Sequence, residues 1–171
     1  MIAKVADVLS AAMRGGTMTE GGKSTPSKAL PAALATPGET VVATYHAVGA
    51  QIYEAKVGGD GKLGWTFREP IASLFLDGKT VGRHYVGPTW EHADGSAVVA
   101  KAVANSPGVT ADDVPWLKLQ TIDRRGAGAL AEVDTVLRIN TRGGVVHGAC
   151  EQAGALRSVP YSTDYVFLRK A

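Results

Sequence analysis

Leu63, Trp65 and Phe67 alternate with Lys62, Gly64, Thr66 and Arg68, and a repeat of two is the spacing that sends successive side chains to opposite faces of a strand. A helix does not use that pattern, because its apolar positions recur every three or four residues. Comparable segments occupy 41–47, 50–56, 71–76, 80–86, 89–93 and 97–103, and after a Pro- and Asp-containing loop at 105–115 three more follow at 116–123, 130–140 and 163–169. Turn residues separate them. Asp60-Gly61, Asp77-Gly78 and Asp94-Gly95 each stand 17 residues from the next, and Asp-Gly suits tight hairpins because glycine takes positive φ without steric cost and Asp tolerates it. Glu69-Pro70 and Gly87-Pro88 fall between these pairs, so the spacing predicts a meander that turns at Asp-Gly on one end and at X-Pro on the other. Roughly ten strands with little helix between them predict an all-β antiparallel domain that closes into a barrel or a sandwich, not a βαβ fold.

The N-terminal stretch reads differently. Residues 14–39 combine Gly, Pro, Ser and Thr with few large apolar groups, the composition of a flexible arm. Before them, Ile2 to Met13 place Val5, Val8 or Leu9, and Ala12 on one face of a short helix that is marginal alone. The chain is thus expected to divide into an arm over 1–39 and a single antiparallel β domain over 40–171.

Composition narrows the function classes. The 18 Lys and Arg against 16 Asp and Glu leave a net +2 that is scattered along the chain, and without a local basic patch no nucleic-acid footprint is expected. No stretch approaches the roughly 20 apolar residues of a membrane span. Lys4 and Asp7 interrupt the N-terminus before it reaches the length of a secretory h-region, so no signal peptide is read. Cys150 is the single cysteine, which excludes an intramolecular disulfide and an all-thiolate metal site and favours a buried, inert thiol.

The motifs GAQIYEA (49–55), VGRHYVGPTWEHADGS (81–96), VPWLKL (114–119), VLRINTRGG (136–144) and VPYSTDYVFLR (159–169) occur in one order. In this order the chain resembles the domain-of-unknown-function 3455 family, from about Pro31 to Arg169. The resemblance implies an exported bacterial or fungal protein. It also implies a cysteine after the QIY motif to partner the one at Cys150; Ala55 stands there instead, and the disulfide is lost. Some fungal members carry a malate dehydrogenase label, yet no glycine-rich turn between a strand and a helix is present to hold a dinucleotide.

Four constellations are candidates for chemistry. Thr17 to Ser24 ends like a phosphate-binding loop, but Thr17 replaces its first glycine and no strand precedes it, so chance is the simpler reading. His84, Glu91, His92 and Asp94, with His46 and His147 elsewhere, are ligand types for a divalent metal, but their spacing is not that of a metal site. On 130–140, Glu132, Asp134, Arg138 and Asn140 share one face, read as facing water, with a competing reading in which Arg138 and Asn140 border a cleft. The rings of Trp65, Trp90, Trp116, Tyr53, Tyr85, Tyr161 and Tyr165 serve a core or a sugar platform.

Where rings and hydrogen-bonding groups mix, a small-molecule site is expected. Gln51, His84, Trp90, Arg138, Asn140 and Tyr161 are the candidate binding residues, for a small molecule or saccharide and with no cofactor or metal. The rival readings are a hydrolase or isomerase using His84 as acid or base, and self-assembly into a homo-oligomer through the arm and open strand edges.

Overall fold

A computed structural model describes residues 29–171. The expected helix at 2–13, most of the arm and the Thr17–Ser24 motif lie outside these residues. Eight antiparallel strands follow one short 3-10 turn, Ala32–Leu34: β1 Glu39–Val57, β2 Leu63–Leu76, β3 Lys79–Tyr85, β4 Thr89–His92, β5 Ala97–Ser106, β6 Trp116–Arg125, β7 Thr135–Gly143 and β8 Leu156–Lys170. Each pairs with its neighbours in chain order, and β8 returns to β1 to close a barrel. Every described strand therefore has a hydrogen-bonded neighbour on either side, and the open sheet edges weighed as a route to self-assembly are absent among them.

The count is eight, not about ten, because two pairs of expected strands are continuous. Segments 41–47 and 50–56 are one strand, β1. Between them, Gly49 is no turn: a Cβ there would lie 1.9 Å from the Ile71 carbonyl oxygen, so glycine lets β2 pass close by. Glu69-Pro70 is no turn either. Gln51 pairs with Pro70 and Ile52 with Glu69, but Tyr53 pairs with Phe67, which leaves Arg68 as the extra residue of a β-bulge inside β2. The Asp-Gly pairs do turn the chain, and at Asp77-Gly78 both residues take positive φ, 50° and 75°, as a two-residue type I′ hairpin requires.

The upper end of the barrel carries the β1–β2, β3–β4, β5–β6 and β7–β8 connections, and the lower end carries the others. Below, the interior is apolar and filled by Tyr45, Leu74, Val98, Leu119, Val136 and Phe167. Leu130 and Val133 plug this end from the β6–β7 connection. The plug is fastened by Asp94, whose carboxylate accepts from Ser96 N (2.8 Å), Ser96 Oγ (2.6 Å) and Ala129 N (2.8 Å), while Ser96 Oγ accepts from Leu130 N at 3.0 Å. These bonds, led by that from the Ser96 hydroxyl, hold the Asp94 carboxyl well below the usual carboxylate range.

A second apolar cluster lies on the outer side of the same strands. Val41, Trp116, Leu137, Ile139, Val166 and Leu168 pack there with Leu34, and Leu30 joins them. The Lys118 Nζ group donates to the Ala35 carbonyl at 2.7 Å, tying this segment down. Residues 130–134 form a connection, and β7 starts only at Thr135. The expected faces of that segment are corrected accordingly. Leu137 and Ile139 point out to the covered cluster, and Val136 and Arg138 point into the barrel. Cys150 is partly exposed, not buried.

Candidate functional site

Above the packed half, the interior opens into a cavity of about 190 Å³. All eight strands contribute to its wall. One side is polar, with Gln51 from β1, His84 from β3, Trp90 from β4, Arg138 from β7 and Tyr165 from β8. The rest of the wall is apolar, with Ala102 from β5, Leu117 and Leu119 from β6, and Pro70 from β2, the register partner of Gln51. The rim is made by Gly87-Pro88, where β3 turns into β4, and by Phe67 and Arg68, which the bulge in β2 aims to the same side.

Strand alternation explains these positions. Gln51 continues the inward set of Tyr45 and Ala47, and Arg138 follows Val136. On β8, Tyr161, Thr163, Tyr165 and Phe167 are all buried at every second position.

The aromatic wall is tightly ordered. His84 stacks on Trp90 with ring centroids 4.3 Å apart and planes 12° from parallel, and Tyr165 meets both rings edge-on at 5.1 and 5.2 Å. His84 Nδ1 lies 2.8 Å from the Thr89 carbonyl oxygen. A carbonyl only accepts, so Nδ1 carries the proton and Nε2 is left as an acceptor. Burial pushes the His84 imidazole down to about 3, with the Arg138 charge acting in the same direction and the Thr89 bond opposing it. At neutral pH this ring is uncharged, and its conjugate acid is too scarce to serve as a general acid.

The hydroxyls of Tyr161 and Tyr165 lie 3.2 Å apart, and burial raises both. Gln51 is only 3% exposed and adjoins the Tyr161 hydroxyl. Its Nε2 has no hydrogen-bond partner, and neither does Trp90 Nε1. From above, Gly144 packs on Gln51 and Tyr161, where a Cβ would come within 3.1 Å of each. The Tyr53 hydroxyl holds that backbone by donating to the Gly144 carbonyl at 2.5 Å.

Arg138 is anchored by Nε and Nη2, which donate to the Pro115 carbonyl at 2.9 and 2.7 Å. No carboxylate pairs with it among the described residues. The other cation of the wall, Arg68, is matched on the outside by Glu54 at 3.2 Å and Glu69 at 3.4 Å.

Gln51, His84, Trp90 and Arg138 therefore share one cavity, and Tyr161 stands behind it through Gln51 and Tyr165. Asn140 does not join them. It sits at a break in the β7–β8 register with φ 53°, and its amide donates to Asp164 at 2.9 Å beside His46, on the outer surface. Tyr165, Leu117 and Leu119 were not among the candidates. Their signal was present in the period-two runs of β8 and β6, whose inward face was not fixed until the ring closed.

The other histidines and acids are engaged elsewhere. His147 pairs with Asp112 at 2.8 Å, His92 with Asp94 at 3.0 Å, and Glu91 with Arg83, Arg125 and Tyr85. Among the described residues no three His, Cys, Asp or Glu side chains are grouped to hold a metal ion. No helix among them is long and apolar enough to cross a membrane.

Fold and cavity together define a closed antiparallel β-barrel that is packed at one end and hollow at the other. Residues 36–169 match the model of the family described as a protein of unknown function, DUF3455, and the chain belongs to that family. No curated protein and no solved structure matches it.

Proposed function

We propose that the barrel binds a small molecule in its upper cavity, without acting on it. The observation that carries this reading is the Gln51 amide: a side chain almost wholly removed from water, facing the cavity with Nε2 unpaired. A buried polar group left without a partner costs on the order of 1–3 kcal/mol, and a ligand acceptor seated against it recovers that loss. The stacked His84–Trp90 pair together with Leu117 and Leu119 gives one cavity both polar groups and apolar surface, the usual make-up of small-molecule pockets.

Binding is preferred to catalysis because the one titratable base in the cavity, His84, is neutral and weakly basic, and no carboxylate lines the wall. A thermal-shift screen of the full chain against sugars, lipids and organic acids tests the reading, since a ligand that binds the folded state raises its melting temperature. Stabilisation by at least one class, lost in Gln51→Leu, is the expected result. A screen with no stabiliser at millimolar concentration sinks it.

A further inference from the structure

We infer that the cavity selects a small carboxylate-bearing molecule with an apolar body, its anionic group seated on Arg138. This rests on the binding reading above and narrows it to one chemical class.

Arg138 is the one cation of the wall without a carboxylate partner among the described residues. Its Nε and Nη2 are held by Pro115 and it also reaches the Tyr165 hydroxyl, so the guanidinium is fixed in place at the cavity wall. A planar guanidinium with no carboxylate beside it matches a ligand carboxylate better than any neutral group does.

The neighbouring donors agree. Gln51 Nε2 and Trp90 Nε1 are unpartnered, and the Tyr161–Tyr165 hydroxyl pair shares one proton between two oxygens, leaving the other available. Against these donors the wall offers as acceptors His84 Nε2, Gln51 Oε1 and the Tyr165 hydroxyl oxygen, and no Asp or Glu. A saccharide presents many hydroxyl protons and needs acceptors to receive them. This wall, with a guanidinium and no carboxylate, therefore suits an anion better than a sugar.

Size and apolar surface complete the description. A cavity of about 150 Å³ accommodates a benzene ring, and this one, at about 190 Å³, has room for a ring of that size with one small substituent. Leu117, Leu119, Ala102 and Pro88 would cover the body.

The test compares sodium benzoate with benzyl alcohol, benzylamine and glucose on the full chain, by calorimetry and by tryptophan emission. A charge-assisted bond is worth about 10- to 100-fold in affinity, so benzoate is expected to bind at least tenfold tighter than benzyl alcohol. Arg138→Gln should erase that ratio, and Arg138→Lys should keep part of it. Because Arg138 also holds Pro115, the variants are read only where circular dichroism matches the wild type; the wild-type comparison stands without them. Equal binding of benzoate and benzyl alcohol, or preference for benzylamine or glucose, overturns the anion while leaving the binding site intact. Binding of none of the four overturns this inference, and the wider screen then decides the fate of the site.

Discussion

The two halves of the barrel are built from the same strands and obey opposite rules. On β7 the inward series passes from Val136 to Arg138, on β8 from Phe167 to Tyr165 and Tyr161, and on β1 from Ala47 to Gln51. Two residues along a strand is one step of about 7 Å, and on β7 that single step, on β1 two of them, takes the apolar interior into a cavity with unpaired donors. The lower half pairs the polar groups that close it, in the Asp94–Ser96–Leu130 clasp. The upper half leaves Gln51 Nε2 and Trp90 Nε1 unpaired, although these residues are as well buried. Burial alone thus does not distinguish the two halves, whereas the polar lining of the upper cavity does.

If the lower half carries the stability, the largest effect comes from emptying it. Phe167→Ala is expected to cost about 3–5 kcal/mol, the usual penalty for removing a fully buried ring, measured by urea denaturation. A cost under about 1 kcal/mol would erase the distinction between the halves.

The next effect belongs to the border. His84 holds its folded value near 3 against 6.5 for the free side chain, so between these values the unfolded chain binds the extra proton. Its contribution is complete above about pH 6.5 and declines by about 1.4 kcal/mol per pH unit as the solution is acidified toward 3. Denaturation midpoints between pH 6.5 and 4.5 should fall in the wild type and fall less in His84→Gln. Parallel profiles would place His84 in contact with water.

The smallest change in stability is expected where the effect on binding is greatest. Gln51→Leu removes an unpaired amide and should shift stability by less than about 1 kcal/mol in either direction. A loss comparable to that of Phe167→Ala would mean that the amide is part of the framework.

Much of the barrel was legible in the chain, for reasons visible in particular residues. Asp77-Gly78 announced its hairpin because few other pairs tolerate two positive φ values in succession. Pro70 misled, since a proline that ends a strand and one placed in a bulge look alike when the partner strand is unknown. Gly49 misled for a related reason: its role is to admit β2, a neighbour that only the folded sheet supplies. For the site, Gln51, His84, Trp90 and Arg138 were recognisable as rings and hydrogen-bonding groups in company. Asn140 was placed with Arg138 by simple alternation, and the break in register at that residue turns it outward. Tyr165 was hidden because a tyrosine in a core and one in a cavity differ only in what their neighbours leave unfilled.

The closing seam has a consequence for how the molecule comes into being. β1 finds its second neighbour only in β8, from Glu39 beside Lys170 to Glu54 beside Leu156, so β1 waits for a strand made more than a hundred residues later. Pairings between remote parts of a chain form slowly, and until β8 arrives the strands β1 to β7 are an open ribbon with a bare border at each side. Closure therefore depends on β8, and removing that strand would leave the ribbon permanently unzipped.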